Sequence, residues 1–413
     1  MYKKKILFIC TEGFDTPNPS NHLINSLIED LIENGFNIHL IQSRRTRINE
    51  DIPKNLRKYN NLVVDIIDRK IILKNSFIKR YLEEALYSFK CYFKWRKVKE
   101  VDAVFVQSCP TVVFSIILLK LFNKSPILYS IQDMWPGSAV ESGVLNRKII
   151  TIFFYNLQKI AYKYSDILTV ISEDMKNKVI EQGVSESKII PVVNWYDDKT
   201  VSEVNWQDNK FVEKYNLSKN MFYVQYAGTM GYVFNYKLIL DIAERLILYN
   251  DIEFHMIGQG SQREEFVKEV ETRQLKNIKF FPLEPQNMVS DVYSACSVCL
   301  IPLKRGVIGN SVPSKAGLVM ACNRTILNSV DEDSIYFKLF NENKIGISVS
   351  NNNSIDASEA ILRLYKDQTL CAEYAKKGKI FGEQYYSRKA NTIKFIKLFK
   401  HLTTNHTNFP IHE

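Results

Sequence analysis

The densest group of residues able to do chemistry lies in Gly309-Asn310-Ser311-Val-Pro313-Ser314-Lys315-Ala-Gly-Leu318-Val-Met320-Ala-Cys-Asn323. Ser311 reads as a helix N-cap, Pro313 as a first-turn residue and Asn323 as the residue that closes the helix. Free first-turn amides, the Ser314 hydroxyl and the Lys315 ammonium would together suit a pyrophosphate. A capped surface helix with a solvated lysine explains the same residues. Two glycine loops could bring backbone close to such a ligand: Tyr226-Ala-Gly228-Thr229-Met230-Gly231 and Ile257-Gly258-Gln-Gly260-Ser-Gln-Arg263. The second lacks the third glycine of a dinucleotide fingerprint, which argues against an NAD enzyme. A simple turn serves the first equally well. Earlier in the chain, Gln132-Asp133-Met-Trp135-Pro offers a hydrogen-bond acceptor and an apolar ring, the pair that recognises a sugar. An N-cap Asp and a packed Trp are the structural alternative.

Strands and helices must position these residues. Lys5–Cys10 is a short apolar run, followed by a turn-rich segment and a helix carrying Leu23, Leu27, Leu31 and Ile32 that stops at Gly35. Further apolar runs at 37–41, 62–67, 103–107, 127–131 and 167–171 repeat the rhythm of parallel strands buried on both faces. After a polar stretch at 198–220 the pattern restarts at 222–226, 253–257, 278–281, 299–301, 325–327 and 346–349. The reading is α/β, with two doubly wound domains. The segment 387–402 reads as a basic helix that packs through Ile393, Phe395, Ile396 and Phe399. In open sheets of this kind, ligands sit at the carboxyl ends of strands, where the glycine loops and Asp133 fall.

Composition narrows the class. The chain has 413 residues, 46% hydrophobic and 24% charged, which excludes wholesale disorder. Its seven cysteines are scattered and mostly in apolar runs, so no disulfide framework is expected, and a reducing cytoplasm is. The most apolar stretch, 111–122, is too short to span a bilayer, which takes about 20 residues, and no signal peptide is evident. Residues 1–199 hold 29 Lys and Arg against 22 Asp and Glu, and the remainder 26 against 23. That excess suggests an anionic partner or serves solubility; no nucleic-acid motif accompanies it. Cys296-x-x-Cys299 reads as core packing rather than a zinc site, and the six histidines form no ligand cluster.

The order of several segments resembles the GT-B glycosyltransferases related to glycosyltransferase family 4. They are Val170-Ile-Ser172-Glu-Asp-Met, Lys188-Ile-Ile-Pro-Val-Val-Asn194-Trp, the two glycine loops, Asp133-Met-Trp-Pro and Ser311-Val-Pro-Ser-Lys315. The last two look like the bacterial branch that includes O-antigen N-acetylfucosaminyl transferases. The resemblance implies two facing Rossmann-like domains: residues 1–195 binding acceptor, residues 196–386 binding nucleotide sugar, and 387–413 a helix crossing back to the first domain with a frayed tail. It implies retaining transfer from a nucleotide diphosphate sugar, UDP-linked, to a lipid-linked saccharide in O-antigen or capsule synthesis, with no metal or other cofactor. Lys315 and Asp133 become the catalytic groups. The donor side takes Gly228, Thr229, Met230, Gly258, Gly260, Asn310, Ser311 and Ser314, and the acceptor side Gly13, His22, Gln132 and Trp135.

The chain departs from that family where Asn310 and Leu318 occupy the positions of two usual glutamates, Thr229 and Asn235 those of an Arg and a Lys, and Gln132 that of a histidine. Lys315, together with Lys304 or Arg305, could supply the charge instead. A degenerate, non-enzymatic partner in polysaccharide assembly is the alternative. Finally, residues 71–100 hold eight Lys and Arg and three Asp and Glu. Leu82, Ala85, Leu86, Phe89 and Phe93 share one helical face, beside Lys90, Lys94, Arg96, Lys97 and Lys99. Peripheral docking on the anionic inner face of the cytoplasmic membrane is expected; packing of that face on the sheet is the competing expectation.

Overall fold

The computed structural model describes residues 3–16, 18, 20–72, 77–108, 112–137, 140 and 148–404. The chain forms two compact units, Met1–Val193 with Asn391–Glu413, and Asn194–Ala390. The first holds β1 (Lys5–Cys10), β2 (Asn37–Arg44), β3 (Leu62–Asp68), β4 (Ala103–Gln107), β5 (Ile127–Ser130), β6 (Ile167–Val170) and β7 (Ile189–Pro191) in the order β3-β2-β1-β4-β5-β6-β7. The second holds β8 (Phe222–Ala227), β9 (Ile252–Ile257), β10 (Ile278–Phe281), β11 (Val298–Pro302), β12 (Thr325–Val330) and β13 (Ile347–Ser350) in the order β10-β9-β8-β11-β12-β13. All neighbouring pairs run parallel. Each unit is a Rossmann-like α/β domain. The order reverses between β1 and β4 in one sheet and between β8 and β11 in the other, opening a crevice at the carboxyl ends of those strands.

Continuous burial explains why the strands were readable: β8 and β9 are buried at every position. β12 is equally buried yet runs past Leu327 through Asn328 and Ser329. Those polar side chains are satisfied laterally: the Tyr336 hydroxyl donates to Asn328 Oδ1 at 3.4 Å, and Ser329 Oγ to the Ser350 carbonyl at 3.3 Å. The basic C-terminal helix is Arg388–Thr404. It packs Phe395 against Phe105 and Phe399 against Phe8, with ring centroids 6.1 and 6.3 Å apart. Leu398 and Leu402 are buried with them, whereas Ile393, expected in this face, is exposed. The tail beyond residue 404 lies outside the described residues.

One buried carboxylate organises the first domain's loops. Asp15 Oδ2 accepts from the backbone amides of Arg45, Thr46 and Arg47 at 2.8, 2.8 and 3.0 Å. The loop after β1 is thereby fastened to the end of β2. Burial works to raise the Asp15 pKa, but the amides of Arg47, Arg45 and Thr46 and the Thr16 hydroxyl outweigh it and hold the carboxyl below its ordinary range. A depressed folded pKa contributes stability that is present above the unfolded value, near ~3.9, and lost as pH falls through the folded one. Asp15→Asn should therefore cost about 1–2 kcal/mol at neutral pH. Denaturant titrations across pH should show that gap closing in acid; a gap independent of pH would contradict this assignment.

Candidate functional site

Lys315 lies at the switch point of the second sheet. Tyr226, the last residue but one of β8, is buried and turns its ring beneath the lysine, whose Nζ stands 3.7 Å from the ring centroid. The Tyr226 hydroxyl donates to the Thr229 carbonyl at 2.6 Å, so the same side chain fixes the loop that follows. Gly228 has φ +145°, and a Cβ placed there would come within 2.9 Å of Lys315 Nζ. Glycine is thus required for the ammonium to lie against the loop backbone. Lys315 is half-buried against the Gly228 backbone, and Thr229, next in the chain, is exposed.

The helix behind Lys315 differs from expectation. It spans Lys315–Ala321, with Ser314 in the cap position and no side-chain cap hydrogen bond. Ser311 is therefore not the N-cap. It sits in the preceding loop, where its amide donates to the Val307 carbonyl at 3.1 Å. The physical reason is Asp331 at the end of β12, whose carboxylate accepts from the amides of Gly306 and Ile308 at 2.8 and 3.2 Å and winds the segment into its own turn. Asn310 is buried there with its amide 3.4 Å from the Gly306 carbonyl. The end reads as expected: Asn323 follows the cap with φ +54°. Gly317 leaves space for Tyr386 and Tyr196, whose ring atoms would lie 3.3 and 3.4 Å from an added Cβ.

The second glycine loop plays a different part from the one its sequence suggests. A Cβ on Gly258 would collide with the Gly228 carbonyl, and one on Gly260 with the Met230 backbone. The two loops lie main chain to main chain: Gly228 donates to Ile257 at 3.0 Å, Met230 to Gln259 at 2.8 Å and Gln262 to Met230 at 3.0 Å. Gly258 and Gly260 are thus spacers that seat the first loop. Met230, expected at the donor, has a fully buried side chain and uses both backbone groups internally, so packing is its role. Gln262 joins the assembly. Its amide donates to the carbonyls of Gly231 and Phe234, and its Oε1 accepts from Lys304 Nζ. Burial, then the neighbouring Lys237, pushes the Lys304 pKa below its usual value. Asn235 caps the helix Tyr236–Arg245 through Leu238 and bonds Asn352 at 2.8 Å, which explains a small amide where a lysine was expected.

Tyr226, Gln262 and Asp331 escaped the sequence reading. Only their places at strand ends or in the loops that follow hinted at them.

In the first domain, Gly13 follows β1 and packs directly on the Ser43 carbonyl of β2, while His22 lies in the first turn of the helix Asn21–Glu33. Gln132 is tied to the switch point: its amide donates to Ser108 Oγ at 3.1 Å and its side chain to Ser130 Oγ at 3.3 Å. Asp133 is exposed in a turn closed by its carbonyl and the Trp135 amide. Trp135 instead packs inward, with ring centroids 5.4 Å from Tyr81 and 5.7 Å from Phe154. Trp135 stays half-buried beside those rings. Among the described residues no group of three His, Cys, Asp or Glu could hold a metal ion. Six cysteines, Cys296 and Cys299 included, are buried free thiols; Cys109 lies outside the described residues.

Residues 207–381 match the family described as glycosyl transferases group 1, a span filling most of the second domain. The match supports a transferase enzyme, and the two Rossmann-like domains give the chain the GT-B architecture. It is 25% identical over 293 residues to the "Probable glycosyltransferase WbjE" of Pseudomonas aeruginosa, covering 70% of this chain and 72% of that protein. It is 28% identical over 220 residues to Escherichia coli WcaI, assigned to colanic acid biosynthesis as a glycosyl transferase, covering 51% of this chain and 53% of WcaI. In structure it is similar to Anabaena HepE, solved with UDP-glucose, at TM-score 0.71 and 13% identity, covering 96% of this chain and 99% of that one.

Proposed function

We propose that the chain moves a sugar from a UDP-linked donor to a lipid-linked saccharide during bacterial surface polysaccharide synthesis, with retention of anomeric configuration. The N-acetylaminosugar branch suggested by Asp133-Met-Trp-Pro and Ser311-Val-Pro-Ser-Lys315 is the first to test as donor. The observation that carries the reading is the Lys315 ammonium, seated over Tyr226 and against Gly228 where the strand order reverses. Breaking the sugar C1–O bond leaves negative charge on the departing diphosphate. A fixed cation beside bare backbone stabilises that charge without reorganising. The acceptor oxygen then bonds to C1, and its proton passes to a phosphate oxygen of the leaving group, so no protein base is required. Asp133 and Gln132 act on the acceptor side, the carboxylate accepting from a sugar hydroxyl and the amide hydrogen-bonding to another.

Screening nucleotide sugars for the one that raises the melting temperature tests the donor, because a ligand bound only to the native state must stabilise it. The expected result is a rise with a UDP-sugar and, on its turnover, a product of unchanged anomeric configuration by NMR. No shift with any nucleotide sugar, or inversion, would contradict the proposal. Asp133→Asn should retain the melting temperature and lower turnover at least about tenfold, or ~1.4 kcal/mol in barrier. Unchanged turnover would leave Asp133 with a structural role only.

A further inference from the structure

We propose that the outward face of three helices in the first domain, Phe77–Trp95, Val113–Phe122 and Lys148–Tyr164, is a docking surface for an anionic lipid bilayer. The first helix has two apolar stripes. Tyr81, Tyr87, Cys91 and Trp95 are buried and attach it to the domain. Leu82, Leu86, Phe89 and Phe93, at helical spacing, are 65%, 52%, 47% and 59% exposed. The stripe picked out by the sequence therefore does not pack on the sheet.

Its neighbours extend it. Phe89 stacks on Phe114 of the second helix with centroids 5.6 Å apart, and Tyr92 bridges Phe93 and Phe122 at 5.3 and 5.5 Å. Leu121 and Phe122 are themselves exposed, and the third helix adds exposed Ile149, Ile152 and Phe153. Monomeric soluble proteins seldom leave so many large apolar side chains together in water.

Charge selects the occupant. The three helices contain only two carboxylates, Glu83 and Glu84, and both turn to Arg69, whose Nη2 lies 2.6 and 4.0 Å from them. Lys79, Lys90, Lys148, Lys159 and Lys163 are exposed on the same helices, and Arg96, Lys97 and Lys99 follow directly. A second copy of this face would bring lysine against lysine. An anionic bilayer instead takes apolar side chains at its acyl boundary and lysines among its headgroups. No helix among the described residues is long and apolar enough to cross a membrane, so the helices lie on the surface.

Co-sedimentation of the full chain with vesicles tests this without donor or acceptor, and so independently of the transfer reaction. Binding is expected to phosphatidylglycerol–phosphatidylcholine vesicles, and to weaken at least about tenfold on pure phosphatidylcholine or in high salt. The double variant Phe89→Ser, Phe93→Ser should lose at least about tenfold in affinity at an unchanged melting temperature, and Lys90→Glu should weaken binding to anionic vesicles alone. Equal binding to both vesicle types, full retention by the double variant, or a dimer of the wild type that those substitutions dissolve would overturn the proposal.

Discussion

Replacing Lys315 with alanine is expected to lower the initial rate of sugar transfer by about 10²–10³-fold, the cost of removing one preorganised group from a developing oxyanion. Donor affinity should fall by a smaller factor, about tenfold, because negative charge on the leaving diphosphate is greater in the transition state than in the bound substrate. The fold should hardly notice. Lys315 is half-buried, and its contact with Tyr226 contributes about 0.5–1 kcal/mol, so the melting temperature should drop by roughly 2–4 °C at most. Lys315→Arg should restore the rate only in part, since a planar guanidinium does not fit where an ammonium lies on both a ring and a glycine. Initial rates, donor titrations and melting curves for the three proteins check this together. An alanine variant with ordinary rate and affinity would move the phosphate contact to Lys304 or Arg305.

The second large effect belongs to a residue that touches no ligand in this account. Gly258→Ala should lower the stability of the C-terminal domain by roughly 3 kcal/mol, from a φ of +131° together with collision against the Gly228 carbonyl. That corresponds to roughly 6–12 °C in melting temperature for a domain of this size. Donor binding should fall with it, because the displaced atom is backbone of the Lys315-facing loop. Gly35→Ala is the control. Gly35 also has positive φ, at +90°, but nothing lies within 4 Å of an added Cβ. It should cost only about 1 kcal/mol, leaving donor binding untouched. Equal losses at the two sites would mean that backbone strain, not loop seating, governs Gly258.

These two residues mark how far the sequence could be read. Strands buried on both faces announce themselves as apolar runs, which is why β1 and β4 were bounded correctly. β7, three residues Ile189–Pro191 at a sheet edge, is too short to show a period. Lys315 stood out because Pro-Ser-Lys beside a helix start has a local signature. The residues that hold it do not. Tyr226 reads as one more apolar strand position until its ring meets a lysine 89 positions away, and Asp331 as one more loop carboxylate until it captures amides 23 and 25 residues earlier. The same limit misplaced the helix start at Ser311 and gave Met230, whose side chain is buried, a ligand. Each of those assignments depended on tertiary neighbours that no spacing rule encodes.

The central claim is that the switch point of the second sheet holds the diphosphate of a nucleotide through Lys315. Calorimetric titration of wild type and Lys315→Ala with UDP and with UMP tests it most directly, since the ligands differ by the β-phosphate. The account predicts that wild type binds UDP at least about tenfold more tightly than UMP, a difference of ~1.4 kcal/mol, and that the alanine variant loses most of that preference while still binding UMP. Equal affinity of wild type for the two nucleotides, or an undiminished preference in the variant, would contradict it.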